Sequence, residues 1–261
     1  MQDYATLETV RVEVNDHVAL IRMDAPPVNA LSTQTLDELT RAFDLVSVDD
    51  AVRAVVLTGS GRAFSAGADI KKRAKALIGP ADLIAHARRS RECFHSVREC
   101  AKPVVAAING AALGAGLVLA ASSDILVASE EAVVGLPEVD LGLAGGSRHA
   151  MRLFGHSLLR RMALTGHRIG GAELYRRGIV EACVPAGELL PLALSIAREI
   201  ASKSPVSTRL GKQTLNAIEE MTLRDGYRYE QDMTAVLART SDAKEAQRAF
   251  VEKRPPVFTG E

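Results

Sequence analysis

The chain has 261 residues, 47% of them hydrophobic and 25% charged, enough for one large domain, or one domain with an appendage, to bury a core without disulfides or a metal. Its 32 basic residues balance 32 acidic ones, and aromatics make up only 4% with no Trp. Those figures exclude a dedicated nucleic-acid binder, an acidic tail, a basic membrane-surface patch, a base-stacking or sugar platform and a disordered chain. The run VRVEV (Val10 to Val14) alternates apolar and charged residues; with a turn at Asn15-Asp16 and the run HVALIRM it predicts a hairpin, ended by Pro26-Pro27. From about Thr33, Leu36, Leu39, Phe43 and Val46 recur at helical spacing, with Asp37 and Glu38 placed early, where a helix dipole favours acids. The segment AVVLTG reads as a buried strand running into a Gly-rich loop, Gly59 to Asp69. A charged helix is predicted over about Ala81 to Cys100, with Leu83, Ile84, Ala87, Phe94 and Val97 on one side. Strand PVVAAI, turn Asn109-Gly110 and a helix from about Gly114 follow, then strand DILVAS and the Gly-rich segment GLPEVDLGLAGGS. A mostly helical second half contains the short strand GIVEACVP, and from Ser202 the chain reads as helices separated by Pro205 and Gly226. The pattern fits an α/β layer structure with a helical tail.

Between Lys102 and Asp124 lie 21 uncharged residues, nominally enough to cross a bilayer. Pro103 and Asn109-Gly110 break the run, which therefore reads as a buried strand, turn and small-residue helix, with no membrane span. Cys93, Cys100 and Cys183 give an odd count without a CxxC pair, and the start of the chain has no basic region followed by an apolar run. A reduced, cytoplasmic protein is the expectation.

Several motifs are missing. Gly59-Ser60-Gly61 starts like a dinucleotide loop, but Phe64 occupies the third glycine position. There is no phosphate-cradling GxxxxGK[ST], no HExxH, no GxSxG elbow, and the six histidines are scattered, so no metal site is expected. What stands out is three Gly/Ala-rich segments, each following or joining a strand: Ala63 to Ile70, Asn109 to Gly116, and Gly135 to Glu138. Small residues let backbone amides approach a ligand, and a helix N-terminus favours negative charge. Two such loops converging would place two N–H donors on one developing oxyanion, with Glu138 as the nearby carboxylate. The same loops also read as tight turns of a packed core.

In these segments the sequence resembles the enoyl-CoA hydratase/isomerase, or crotonase, family. The resemblance rests on DAPPVNALS, GRAFSAGADIK, KPVVAAINGAALGAG, LPEVDLGL, LTGHRIGGAELYRRGIVEACVP and AFVEKRPPVF, in that order along nearly the whole chain. It implies a spiral of repeated ββα units over residues 1–200, a C-terminal helical region over 201–261 that builds homotrimers or hexamers, and an acyl-CoA thioester as substrate, with no separate cofactor. It implies that Ala66 and Ala115 supply the oxyanion amides and Glu138 the acid/base. It places Ala66, Gly67, Ala68, Asp69 and Ile70 along the CoA groove and Phe250 and Lys253 at its adenine end.

The sequence also departs from that pattern. Family hydratases carry a second glutamate after the second loop; here Val118 stands there, and Val118 can neither hold water nor move a proton. One carboxylate suffices to shift a double bond, so isomerisation is favoured over hydration. Asp140 is a candidate second carboxylate if the segment is extended, since residues two apart then share a side. Arg148 and His149 replace the family's usual residues beside the acyl pocket and are candidates to enter it. Other chemistry on the same fold, or acyl-CoA binding without turnover, remains an alternative.

Overall fold

A computed structural model describes residues 4–70 and 79–261. The chain opens with an antiparallel hairpin, β1 (Val10–Asn15) and β2 (Val18–Met23), in which Asn15 faces Val18. The loop is therefore Asp16-His17, one position later than the sequence pattern implies. Both residues have positive φ, 50° and 62°, as a two-residue turn of type I′ requires to match the strand twist. α1 (Thr33–Val48) is capped by the Ser32 hydroxyl, which accepts the Thr35 N–H at 3.2 Å, and it buries the stripe Leu36, Leu39, Phe43 and Val46. Asp37 and Glu38 fall beyond its first turn. Glu38 instead accepts the amides of Glu8 (3.0 Å) and Thr9 (2.7 Å), tying the leading segment to the helix.

The chain then winds in a repeat. β3 (Ala54–Gly59), β5 (Val104–Ile108) and β7 (Ile125–Ser129) enter a six-stranded sheet, and the short strands after them, β4 (Ala63–Ser65), β6 (Ala111–Leu113) and β8 (Val133–Gly135), enter a four-stranded one. Successive turns pair in parallel within each sheet, and α2 (Pro80–Glu99) and α3 (Ala115–Ser122) close the first two. β9 (Arg168–Gly170) and β10 (Ala182–Val184) complete the four- and six-stranded sheets. This is the expected spiral of ββα units. A Gly-rich loop ending in β4, and a turn followed by β6, take the place of the unbroken loops the sequence suggests; three-residue strands leave no periodic signal.

β3 and β5 are buried along their whole length, because both faces of the larger sheet are covered. Val55, Leu57, Val104 and Ala106 face α1 and the core beneath it. Ala54, Val56, Val105 and Ala107 face Leu189, Ala193 and Ala197 of α7 (Ala186–Ala201). The uncharged stretch after Lys102 is thus strand, strand and an eight-residue helix. Among the described residues no helix is long and apolar enough to cross a membrane.

α2 corrects a second expectation. Its only buried residues are Cys93 and Val97; Phe94 and Val97 of the side read from the sequence do pack on the core, but Leu83, Ile84 and Ala87 in the first half of the helix are exposed. Past the sheets lie α4 (Ser147–Ala150), α5 (His156–Thr165) and α6 (Gly171–Arg176), and beyond α7 come α8 (Pro205–Ile218), α9 (Leu223–Leu237) and α10 (Ser241–Glu252). Pro205 does open a helix, but Gly226 sits inside α9, packed beside Ile218 of α8, and does not separate helices. Buried charges dock this region. Lys212 of α8 lies 2.8 Å from Asp124 and donates to the Val97 and Lys102 carbonyls (3.2 Å each). Asp242 of α10, 1% exposed, accepts the Ser204 hydroxyl (2.7 Å) and the tail amides of Thr259 (2.9 Å) and Gly260 (3.2 Å). All three cysteines are free.

Candidate active site

The three Gly/Ala-rich segments converge. After β4 the Ser65 hydroxyl donates to the Asn29 carbonyl (2.7 Å) and accepts the Gly67 N–H (3.2 Å), fixing the bend. The amide of Leu31 donates to the Gly67 carbonyl (2.8 Å), and the amide of Asp69 donates to the Leu31 carbonyl (3.1 Å). Ala68 lies between these two links, so by the alternation of an extended chain its own N–H is directed away from Leu31. Ala66 is different: its N–H donates to the Val28 carbonyl at 2.9 Å and is occupied within the fold. The carry-over of Ala66 as an oxyanion donor is corrected by that bond, and the amide free of it is two residues on.

Gly67, at φ 90°, brings this bend against the second segment. A Cβ there would lie 2.5 Å from the Leu113 carbonyl oxygen and 3.3 Å from the Ala115 nitrogen. Gly114, with φ 53°, caps α3, and Ala115 is that helix's first residue, so its N–H has no partner within the helix. A Cβ on Gly116 would come within 2.3 Å of the Ser65 carbonyl oxygen, so only glycine lets α3 start this close to the first bend.

The third segment supplies the acid. Pro137–Leu141 is a 3-10 turn, and Glu138 on it reaches back so that its Oε1 lies 2.5 Å from where a Cβ on Gly114 would be. Glu138 Oε2 is buried without a hydrogen-bond partner, and burial pushes its carboxyl above the ordinary value near 4.5, opposed only by its own backbone N–H. A Cβ on Gly146 would touch both Val118 and Leu136 at 2.9 Å, and Val118, Leu141 and Leu143 line the same cavity as Glu138.

A cavity of about 220 Å³ occupies the meeting point. Ala66, Gly67, Ala68 and Ile70 line one side, Gly114, Ala115 and Val118 another, and Glu138 with Leu141 and Leu143 a third. Asp69 does not line it; its amide serves the Leu31 link. The cavity's fourth wall, His86, Ser90 and Phe94 of α2, was not anticipated. Their spacing of four residues is a helical stripe, hidden in the sequence among the charges of α2. Among the described residues no group of side chains has the arrangement of a metal site.

Other candidates lie elsewhere. Because Pro137–Leu141 turns and is not extended, Asp140 does not share Glu138's direction; it is exposed and sits against Gly166. Arg148 points away to pair with Glu220, and His149 packs edge-on to Phe94 (ring centroids 5.7 Å apart) behind the cavity wall. Burial, then the nearby His95 and arginines, holds His149 below its ordinary value. Phe250 is 85% exposed and Lys253, in a left-handed conformation, ends α10; neither lines the cavity.

Residues 13–261 match the enoyl-CoA hydratase/isomerase family, and the chain belongs to that family. It is 38% identical over 257 residues to a probable mitochondrial enoyl-CoA hydratase of Dictyostelium discoideum, covering 96% of this chain and 90% of that protein. It is also 38% identical over 236 residues to a Mycobacterium tuberculosis (7aS)-7a-methyl-1,5-dioxo-2,3,5,6,7,7a-hexahydro-1H-indene-carboxyl-CoA hydrolase, covering 90% and 95%. Its fold superposes on the crystal structure of an enoyl-CoA hydratase from Bacillus anthracis with TM-score 0.92 and 33% identity, over 97% of this chain and all of that one. The protein is therefore a crotonase-superfamily enzyme of acyl-CoA chemistry.

Proposed function

We propose that the enzyme moves a proton on an enoyl-CoA thioester, with the amides of Ala68 and Ala115 holding the carbonyl oxygen and Glu138 as the only acid/base. The observation that carries this reading is the buried, unpartnered Oε2 of Glu138 in a cavity that Val118 also lines. On a 3-enoyl-CoA the Glu138 carboxylate removes a proton from C2, and the electron pair moves through the carbon chain onto the thioester oxygen. The two amides meet that negative charge. Glu138 then returns the proton to C4, the double bond comes to rest between C2 and C3, and the carboxylate is regenerated. No step requires a further cofactor; the thioester is the substrate.

Hydration of a 2-enoyl-CoA is the second reading, supported by the activities named for the relatives. It asks for a group to hold and deprotonate water where Val118 offers only methyls. The test is spectroscopic: growth of the conjugated-thioester absorbance from a 3-enoyl-CoA supports isomerisation, and its loss from a 2-enoyl-CoA supports hydration. Val118→Glu is expected to raise the hydration rate at least tenfold, within the range one added proton-transfer group supplies. Isomerisation absent in a wild type that hydrates rapidly would overturn the single-base reading.

The assembly reading goes with this function. Residues 1–200 form the spiral that holds the site, and 201–261 join three or six copies and reach CoA through Phe250 and Lys253. Leu215, Leu223, Tyr227 and Phe250 are all exposed in the single chain, and burying them between copies supports that arrangement.

A further inference from the structure

The cavity has an open and a closed side. Ile70, Leu141 and Leu143 at its opening are all more than a third exposed, whereas Val118 is 3% exposed and stands beside Gly146. A CoA moiety is too large for about 220 Å³ and lies at the opening, so the acyl carbons run toward Val118, Phe94 and the Gly145-Gly146 bend. Two of these wall pieces have little anchorage of their own. Gly145 and Gly146 carry no side chain, and Phe94 is half-buried on a helix that buries only Cys93 and Val97.

Both pieces are tied to one carboxylate. Arg98, one turn past Phe94 on the same side of α2, donates to Glu219 Oε2 at 3.0 Å and to the Asn216 carbonyl at 3.2 Å; the Asn216 side chain donates back to the Arg98 carbonyl at 2.8 Å. Arg152, in the turn that follows α4, donates to Glu219 Oε1 at 2.7 Å and to the Ala121 carbonyl of α3. Glu219 thus bridges two arginines, one from each wall piece. It is the C-cap of α8, where the helix dipole disfavours an acid. The two largely covered guanidiniums offset that, so its place is explained by what it holds and not by its own helix. The neighbouring Arg148–Glu220 pair is exposed on both sides and adds little.

We propose that Glu219 is a positioning residue for the acyl end of the site: by holding Arg98 and Arg152 it sets Phe94 and the Gly145-Gly146 bend at the spacing that grips the acyl chain. The C-terminal helical region then shapes the substrate site without touching substrate. The inference rests on the reading of the cavity as an acyl-CoA site and adds what fixes its acyl end.

Binding tests this apart from turnover. Calorimetric titration with CoA and with saturated acyl-CoA thioesters of four, six and eight carbons gives the gain in affinity per added pair of carbons. In the wild type that gain is expected to be roughly tenfold, as burial of two methylenes provides. Glu219→Ala is expected to cut it to about threefold, the loss of one methylene's burial, while leaving affinity for CoA unchanged. Glu219→Gln, which keeps one acceptor, should fall between. Phe94→Ala combined with Glu219→Ala should lose little more than Phe94→Ala alone, because Glu219 acts through that wall. Arg98→Met cuts one arm of the bridge and is read in the same way if Glu219→Ala does not fold. A wild-type gain retained in the folded variants overturns the proposal, as does equal weakening of CoA and every thioester, which a merely structural role would give. A wild type that binds CoA but gains nothing with acyl length overturns it too and leaves the acyl-CoA reading standing. Failure of CoA and of every thioester to bind the wild type would sink that reading, and the proposal with it.

Discussion

Ala115→Pro isolates a main-chain donor. Ala115 is the first residue of α3, the position where helices best accept proline, because the N–H lost there has no partner inside the helix. The Val118 amide still closes the first turn onto the Gly114 carbonyl at 3.1 Å, so the helix keeps its start. The change removes that N–H at the cavity lining and sets the ring Cδ in its place. Loss of a single oxyanion donor costs about 10²–10³ in kcat, roughly 3–4 kcal/mol of transition-state stabilisation. The fold should lose about 1 kcal/mol or less, a change of about 2–4 °C in thermal midpoint for a chain this size. Initial rates on a 3-enoyl-CoA and on a 2-enoyl-CoA, alongside calorimetric melting, separate the two effects. A folded variant with more than about a third of wild-type kcat would refute the assignment of this amide. The opposite pattern is expected at Ala66, where proline would remove the 2.9 Å bond to Val28 and act first on stability.

Three further outcomes are expected. Glu138→Gln should lower turnover about 10²–10⁴-fold, the range for a lost acid/base group. In the wild type the rate should rise with pH as Glu138 ionises, with a midpoint above 4.5. Its raised pKa stabilises the fold at low pH, an effect lost as pH climbs through the folded value, so the variant should lack that decline in a melting-versus-pH series. Lys212→Met leaves Asp124, which is not buried, without its cation and the Val97 and Lys102 carbonyls without a donor, and a loss of about 1–3 kcal/mol is expected in denaturant unfolding; an unchanged midpoint would mean the pair contributes nothing. Asp242→Asn turns an acceptor of the Ser204 hydroxyl and two tail amides into a partial donor, and should cost about 1–3 kcal/mol and expose residues 255–261 to proteolysis.

What the sequence displays depends on how far each signal extends. AVVLTG and PVVAAI are legible because burial on both sides of a sheet leaves a continuous apolar run, and α1 because one side of it recurs over about three turns. β8 and β9 are three residues each and carry no period. The amides proposed to hold the oxyanion leave no mark on residue identity, so Ala66 and Ala68 look alike until the Val28 bond distinguishes them. Lys212 and Asp242 read as surface charges because their partners are 88 and 38 residues away in the chain, at Asp124 and Ser204. The His86, Ser90 and Phe94 stripe is regular but only Phe94 in it is apolar, and pattern alone gives no reason to prefer it.

Gly114 stands so near Glu138 that any side chain there would displace the acid, and the donors around it belong to the peptide chain itself. Point substitutions can hardly rewrite that part. Variation in such a scaffold is therefore channelled into the places where side chains border the void, at 70, 118, 141 and 143 and along one stripe of α2. New reactions can be tried there while the main-chain cradle is inherited intact.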